Sequence, residues 1–212
     1  MKDVAIFLYH RSGVLARIWA AAGYTCYCVD VQHSIRRPRV EGRIHYVWGD
    51  CRTWIPPEDI TDRIAFFTAE PPCTHVTVSG ARDFRTKGTA MLRDSLEMFS
   101  AAYSAAHWSG APFRIENPVG KFSDHMLPPD HTFQPWEYGD PWTKKTCLWV
   151  GNGYVMPPKT HSVPPPGTTN KIWLMPPSEE RANLRSETPP GFARAEFLAN
   201  GHVLTEKSDG LG

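Results

Sequence analysis

Short apolar runs alternate with longer stretches of helical periodicity along most of the chain. Runs rich in Val, Ile, Phe and Cys predict strands, and apolar residues spaced three and four apart predict helices. The predicted strands cover residues 4–9, 25–29, 43–47, 64–68, 112–115 and 145–150, and the predicted helices cover residues 13–22, 86–108 and 190–201. Strands that alternate with helices predict an α/β protein with a mostly parallel, doubly wound sheet.

The domain organisation follows from length and from a change in composition. A chain of 212 residues fits one compact α/β domain and is too short for two full-size ones. Beyond the sixth strand the sequence becomes rich in proline. We therefore predict a core over residues 1–151, a proline-rich insert over residues 152–189, and a C-terminal helix with a frayed tail over residues 190–212.

Charge and cysteine content narrow the protein class. The net charge of +1 does not exclude a nucleic-acid partner, because basic residues cluster at Arg36, Arg37 and Arg39. An odd count of five cysteines favours reduced thiols in a cytoplasm over a disulfide framework. No apolar run reaches the roughly 18 residues that span a bilayer, and no Cys or His pair has zinc-like spacing. We expect a cytoplasmic protein with no membrane partner and no metal.

Polar and reactive side chains follow the predicted strands at their carboxyl ends. Asp30, Asp50, Cys73 and Glu116 each lie at or just after such an end. In doubly wound sheets the functional loops cluster beyond this edge. We therefore expect these four residues to belong to one site.

Two short motifs indicate covalent activation of a pyrimidine ring. Pro72-Cys73 supplies a nucleophile, and Glu116-Asn117-Pro118 supplies an acid about forty residues later. Cytosine C5 is a poor nucleophile, but addition of a thiolate at C6 makes C5 enamine-like. A carboxylic acid that protonates N3 stabilises this adduct. Cys73 and Glu116 are the residue types that such chemistry requires.

On these residues the sequence resembles the DNA cytosine-C5 methyltransferase family, especially its short bacteriophage forms, over residues 5–200. Pro72-Cys73 is similar to the nucleophile motif and Glu116-Asn117 to the Glu-Asn-Val motif. The stretch 143–147 is similar to a basic strand, with Lys145 where a base-contacting arginine would fall. The resemblance implies the Rossmann-like fold of S-adenosylmethionine-dependent methyltransferases, with Cys73, Glu116 and Lys145 as catalytic residues.

The resemblance also implies a cofactor site at the first strand ends. The stretch 9–13 is similar to the Phe-x-Gly-x-Gly cofactor loop, Asp30 would bind the ribose hydroxyls, and Asp50 would bind the adenine amino group. The expected cofactor-binding residues are Tyr9, His10, Arg11, Ser12, Gly13, Asp30, Val31, Asp50, Cys51 and Pro71.

Arg11 departs from the family pattern, which has glycine at this position. An arginine there would crowd a cationic sulfonium unless a negative group meets it. Arg11 either turns outwards or grips a methionine carboxylate or a DNA phosphate, or else the cofactor is carboxy-S-adenosylmethionine. The product is accordingly 5-methylcytosine or 5-carboxymethylcytosine, and the motifs do not separate the two.

The expected partner is double-stranded DNA with a flipped-out cytosine. Ser79, Arg82 and Lys144 are the expected DNA-binding residues, and the short proline-rich segment stands where the family carries a large DNA-reading region. The resemblance thus implies minimal target recognition and short or loose sequence selectivity, which suits a virus that modifies its whole genome. Two alternatives stay open: an enzyme that modifies free cytidine nucleotides, and an inactive DNA-binding relative.

Overall fold

The secondary structure consists of strands and helices in alternation. The computed structural model describes residues 1–37, 39–73, 76, 84–120, 122–170 and 187–204. Within them the strands are β1 Val4–Leu8, β2 Thr25–Val29, β3 Arg39–Glu41, β4 Ile44–Val47, β5 Ile64–Ala69, β6 Phe113–Pro118, β7 His131–Phe133 and β8 Thr146–Gly151. The α-helices are α1 Val14–Ala21, α2 Glu58–Thr61, α3 Phe84–Trp108, α4 Phe122–His125 and α5 Pro190–Asn200.

The strands form one sheet in the order β3-β4-β2-β1-β5-β6-β8-β7. The five strands from β4 to β6 are parallel, whereas β3 pairs antiparallel with β4, and β8 pairs antiparallel with both β6 and β7. The predicted α/β class and mostly parallel sheet are confirmed, and the sheet is compatible with a Rossmann-like fold. In the sheet, β2 and β4 lie on one side of β1, and β5 and β6 lie on the other side of β1. A ligand site is therefore expected at the carboxyl ends of β1 and β5.

Two strands escaped prediction from the sequence. β3 and β7 have three residues each, and all of β3 and most of β7 are solvent-exposed. Such strands need no apolar run and leave no periodic pattern. The reversed direction of β8 was equally invisible, because burial on both faces produces the same apolar run in either direction.

The hydrophobic core lies on both faces of the sheet. On one face, Phe99 of α3 packs edge-on against Trp149 of β8, with ring centroids 4.9 Å apart. On the other face, Trp19 of α1 stacks on Phe66 of β5 at 4.4 Å and meets Phe197 of α5 at 5.1 Å. The C-terminal helix therefore packs beside α1 on the central strands.

Residues that follow β8 contact the core closely. The Tyr154 hydroxyl donates to Glu196 Oε1 at 2.9 Å, and the Tyr138 hydroxyl donates to the Pro157 carbonyl at 3.0 Å. Asn200 also exchanges two hydrogen bonds of 2.8 Å with the backbone of Val155. The division at residue 151 stays a prediction, and much of the insert, residues 171–186, lies outside the described residues.

Within the described ranges no helix is both long and apolar enough to cross a membrane. In the same part of the chain no group of His, Cys, Asp and Glu side chains could hold a metal ion.

A buried ion network fastens α5 to the sheet. Arg114 of β6 is fully buried, and its Nε donates to Glu196 Oε1 of α5 at 2.6 Å. Its Nη2 donates to Glu70 Oε1 at 3.2 Å and to Thr188 Oγ1 at 3.1 Å. The Thr188 hydroxyl also donates to Glu70. Because Glu70 directly precedes Pro71-Pro72-Cys73, the network reaches from the C-terminal helix to the predicted nucleophile loop.

Replacement of Arg114 by alanine should destabilise the fold strongly. It would leave Glu70 and Glu196 buried without their cation, a loss of about 3–5 kcal/mol in the free energy of unfolding. Urea denaturation measures this quantity. The matched control is Arg93→Ala, whose side chain is 72% exposed and pairs only with Asp94 among the described contacts; it should change stability by no more than about 0.5 kcal/mol. Equal effects of the two variants would contradict the structural role of the network.

Candidate functional site

Cys73 lies in the loop that follows β5, and it differs from the other cysteines in exposure. All five thiols are reduced, and Cys73 alone of the five is only partly buried. Burial raises the pKa of Cys28 and Cys51 to about 12 and that of Cys147 to about 11, so these thiols stay protonated near neutral pH. The Val76 amide donates to the Cys73 carbonyl at 3.1 Å and closes a turn at this position. Cys73 is therefore the cysteine placed to react.

Asn117 connects the nucleophile loop to β6. Its side chain is fully buried, and its Nδ2 donates to the Pro71 carbonyl at 2.7 Å. This bond fixes the loop that carries Cys73 to the strand that carries Glu116. Asn117 is not among the site residues predicted from sequence, although it lies inside the Glu-Asn-Pro motif. Its position directly after the predicted acid, inside that motif, was the signal available in the sequence.

Glu116 lies within β6 and is only 4% exposed. Lys144 Nζ lies 3.2 Å from its Oε1, near enough for an ion pair but poorly aligned for a hydrogen bond. The same ammonium donates to the Glu187 carbonyl at 3.3 Å. Lys145, the lysine predicted from sequence to be catalytic, is solvent-exposed. The structure thus brings Lys144, not its neighbour, to the predicted acid.

The environment of Glu116 favours its protonated form. Burial raises the pKa of Glu116, and the negative charge of Glu70 adds to this shift, although Lys144 opposes it. Burial likewise raises the pKa of Glu196, against the opposing charge of Arg114. We refer to Glu70, Arg114, Glu116, Lys144 and Glu196 as the buried charge cluster. A carboxyl with a raised pKa can donate a proton at neutral pH.

The loop after β1 has a tightly held backbone. Tyr9 has a positive φ of 59°, and its hydroxyl donates to the Met98 carbonyl at 3.2 Å. The Gly13 amide donates to His10 Nδ1 at 3.2 Å, and burial lowers the pKa of His10, consistent with a neutral ring that accepts this bond. Gly13 has a φ of 67°, and a Cβ there would clash with the Tyr46 hydroxyl. Glycine is therefore required at this position.

Arg11 and Ser12 lie on the outer side of the same loop. Arg11 is exposed, and its Nη1 donates to Gln32 Oε1 at 3.2 Å. Ser12 Oγ accepts a weak hydrogen bond of 3.4 Å from the Val14 amide at the start of α1. Arg11 therefore turns towards the loop that follows β2.

Asp30 suits a hydroxyl-bearing ligand such as a ribose. It directly follows β2, is 5% exposed, and its Oδ1 accepts from the Gln32 amide at 2.7 Å. Its own amide donates to the Val47 carbonyl at 3.1 Å, which fixes its position against β4. The neighbouring Val31 is 56% exposed and could lie against an adenosine. The chemistry of this strand end fits the cofactor expected from sequence.

Asp50 fits the expected cofactor less well. Its two carboxylate oxygens accept from Arg52, at 3.0 Å for Nε and 2.6 Å for Nη2, and these bonds lower the pKa of Asp50. Cys51 is buried and donates through its thiol to the Val29 carbonyl at 3.4 Å. The predicted contact between Asp50 and an adenine amino group stays a prediction and would have to compete with Arg52.

The three predicted DNA-binding residues have different positions. Ser79 and Arg82 lie outside the described residues. Lys144 belongs to the buried charge cluster, where its side chain is 8% exposed. In this conformation Lys144 contacts Glu116 and is closed to a DNA phosphate.

Comparison with known proteins provides no assignment for this site. No protein-family model matches the sequence, and no curated protein matches it significantly.

Removal of the Lys144 charge should raise the pKa of Glu116 further, because the ammonium now favours the carboxylate form. Carbon-detected NMR of the Glu116 carboxyl in Lys144→Gln would measure the upward shift in its titration midpoint. Lys145→Gln is the matched control, since Lys145 is exposed and should leave that midpoint unchanged. A shift in the Lys145 variant alone would show that the lysine assignment given by the structure is incorrect.

Proposed function

We propose that this protein is a DNA cytosine-C5 group-transfer enzyme with Cys73 as nucleophile and Glu116 as acid. The observation that carries this proposal is the hydrogen bond from Asn117 to Pro71. It joins a partly exposed cysteine in the loop after β5 and a buried carboxyl within β6, the adjacent parallel strand. These are the two functional groups that activation of cytosine requires.

Cys73 would form a bond from its sulfur to C6 of the ring. The electron pair of the C5–C6 double bond then moves towards N3, which takes a proton from Glu116. The resulting enamine places electron density on C5, which would form the new carbon–carbon bond to the transferred group while the bond from that carbon to the cationic sulfur breaks and leaves a neutral thioether. Loss of the C5 proton to water and rupture of the sulfur–C6 bond restore the aromatic ring, while Glu116 recovers its proton from N3.

The composition of the buried charge cluster supports Glu116 as the proton donor. Three carboxylates there share two cations, so full ionisation would leave one uncompensated negative charge. Among the described residues, Glu196 Oε1 accepts from Arg114 and Tyr154 while its Oε2 has no hydrogen bond, and Glu116 Oε1 has only the Lys144 ammonium at 3.2 Å. Burial raises the pKa of Glu116, which favours the protonated form that acid catalysis requires.

S-adenosylmethionine or carboxy-S-adenosylmethionine would supply an electrophilic carbon attached to a cationic sulfur. Asp30 would hold its ribose, and the loop from Tyr9 to Gly13 would hold its amino-acid part. Arg11 turns towards Gln32, which is compatible with either cofactor. Methyl and carboxymethyl transfer therefore both remain within the proposal, and the short proline-rich segment favours loose selectivity for the bases around the target.

Incubation with duplex DNA and either cofactor should produce a modified cytosine detectable by mass spectrometry of nucleosides. 5-Methylcytosine alone would make Arg11 incidental, and 5-carboxymethylcytosine would make it the reader of the added carboxylate. Cys73→Ala should abolish the product, and Glu116→Gln should slow its formation by about 10²–10⁴-fold. Cys147→Ala is the control, because that thiol is buried and inert.

Several outcomes of that experiment would overturn the proposal. A parent protein that modifies cytidine nucleotides but not DNA would point to nucleotide chemistry. A parent that binds DNA equally well with and without Cys73 and yields no product with either cofactor would be a binding protein only.

The rate of group transfer should fall at high pH, since Glu116 must hold a proton. The pKa of Glu116 is raised, so the protonated form persists above the usual range for a carboxyl and is lost as the pH rises through the shifted value. Single-turnover rates measured against pH should show this descending limb. Glu116→Gln should be slow and should lack the limb, and an unchanged limb in that variant would assign it to another group.

A further inference from the structure

A cavity of about 290 Å³ opens at the carboxyl ends of β2 and β4, and it shares Arg11 with the loop assigned to the cofactor. Its walls include Arg11, Gln32, His33, Arg37, Arg39 and Tyr46. The cavity lies on the α1 face of the sheet, because Tyr46 packs into the core cluster of that face. Cys73 packs against the core cluster of the opposite face.

The cavity carries an excess of positive charge. Three of its lining residues are arginines and none is a carboxylate. Glu41 offsets one of them, since it lies 3.3 Å from Arg39 and accepts from the Tyr46 hydroxyl at 3.2 Å. Burial lowers the pKa of His33, so the positive charge near neutral pH comes from guanidinium groups. Such a cavity selects a strong oxyanion.

Packing holds one of these guanidinium groups in place. The Arg39 guanidinium lies 3.7 Å from the centroid of the Tyr46 ring, in a cation–π contact. His33 meets the same ring edge-on at 5.4 Å. The Tyr46 hydroxyl in turn lies so close to Gly13 that a Cβ at position 13 would clash with it. The cavity wall is therefore fixed to the start of α1, and less ordering of Arg39 is needed when an anion binds.

The surface around the cavity favours a nucleic acid over a small free anion. Large apolar side chains stand exposed on the loops and strands that form it: Val31 56%, Ile35 64%, Val40 57% and Trp48 43%. A free phosphate gains nothing from apolar surroundings. Exposed apolar and aromatic side chains interleaved with arginines are typical of surfaces that contact both bases and backbone.

We propose that this cavity, through Arg37 and Arg39, binds a backbone phosphate of the DNA substrate at a point separate from the reacting base. The proposal rests on DNA as the substrate of the proposed function. Three strand spacings separate β4 from β5 in the sheet, which places the cavity about 10–15 Å from the nucleophile loop. That distance corresponds to about three or four base steps along a duplex.

The test measures how the affinity for DNA depends on salt concentration. Binding is detected by the fluorescence anisotropy of a short labelled duplex, and the protein carries Cys73→Ser so that no turnover occurs. Loss of one phosphate contact reduces the slope of log affinity against log salt by about 0.9. Arg37→Gln should show this reduction and weaken binding equally for all duplex sequences. Arg39→Lys, which retains the charge, should keep most of the slope. Arg93→Gln is the control with an exposed arginine on α3, and it should match the parent.

Thermal unfolding of each variant shows whether it is folded. If a folded Arg37→Gln variant has the same slope of log affinity against log salt as the parent, the proposal is overturned. Stabilisation of the parent by inorganic phosphate, without DNA binding, would also overturn it and would assign the cavity to a small anion. Failure of the proposed chemistry can be told apart from failure of this proposal. The salt dependence of DNA binding can be measured even when no modified cytosine is formed.

Discussion

The shortage of positive charge in the buried charge cluster is the constraint on which the rest of the site depends. In the part of the chain that the structure describes, Arg114 and Lys144 are the two cations paired with three carboxylates, which lie directly after β5, on β6 and on α5. Charges removed from water are tolerated only when they are paired and hydrogen-bonded. The strands and the last helix must therefore assemble together, and burial favours the protonated form of Glu116.

This constraint links stability to the proposed chemistry. Arg114 donates to Glu196 at 2.6 Å and to Glu70 at 3.2 Å, whereas Lys144 lies 3.2 Å from Glu116 Oε1 without forming a hydrogen bond to it. Glu116 is followed in β6 by Asn117, whose side chain binds the Pro71 carbonyl in the loop that carries Cys73. Structural pairing in one half of the cluster thus leaves Glu116 in the environment that its proposed role as an acid requires.

The sequence predicted the mostly parallel sheet because apolar runs such as Ile64–Ala69 indicate strands, but it ended β6 at residue 115, whereas the strand continues to Pro118 and contains Glu116. It did not predict which lysine approaches Glu116, since Lys144 precedes β8 in irregular backbone and no alternation of faces applies there. Arg114 and Glu196 are 82 residues apart, so no local pattern could pair them. The Arg52 bond to Asp50 spans only two residues and was within reach of sequence reasoning.

The last described segment of the chain supplies partners that the earlier strands cannot provide for themselves. The Glu187 carbonyl receives Lys144, Thr188 donates to Glu70, and Glu196 receives Arg114. During synthesis on the ribosome, β5 and β6 emerge long before these partners exist. Glu196 cannot pair with Arg114 until the C-terminal helix docks, so the synthesis of that helix is needed to complete the core around Arg114.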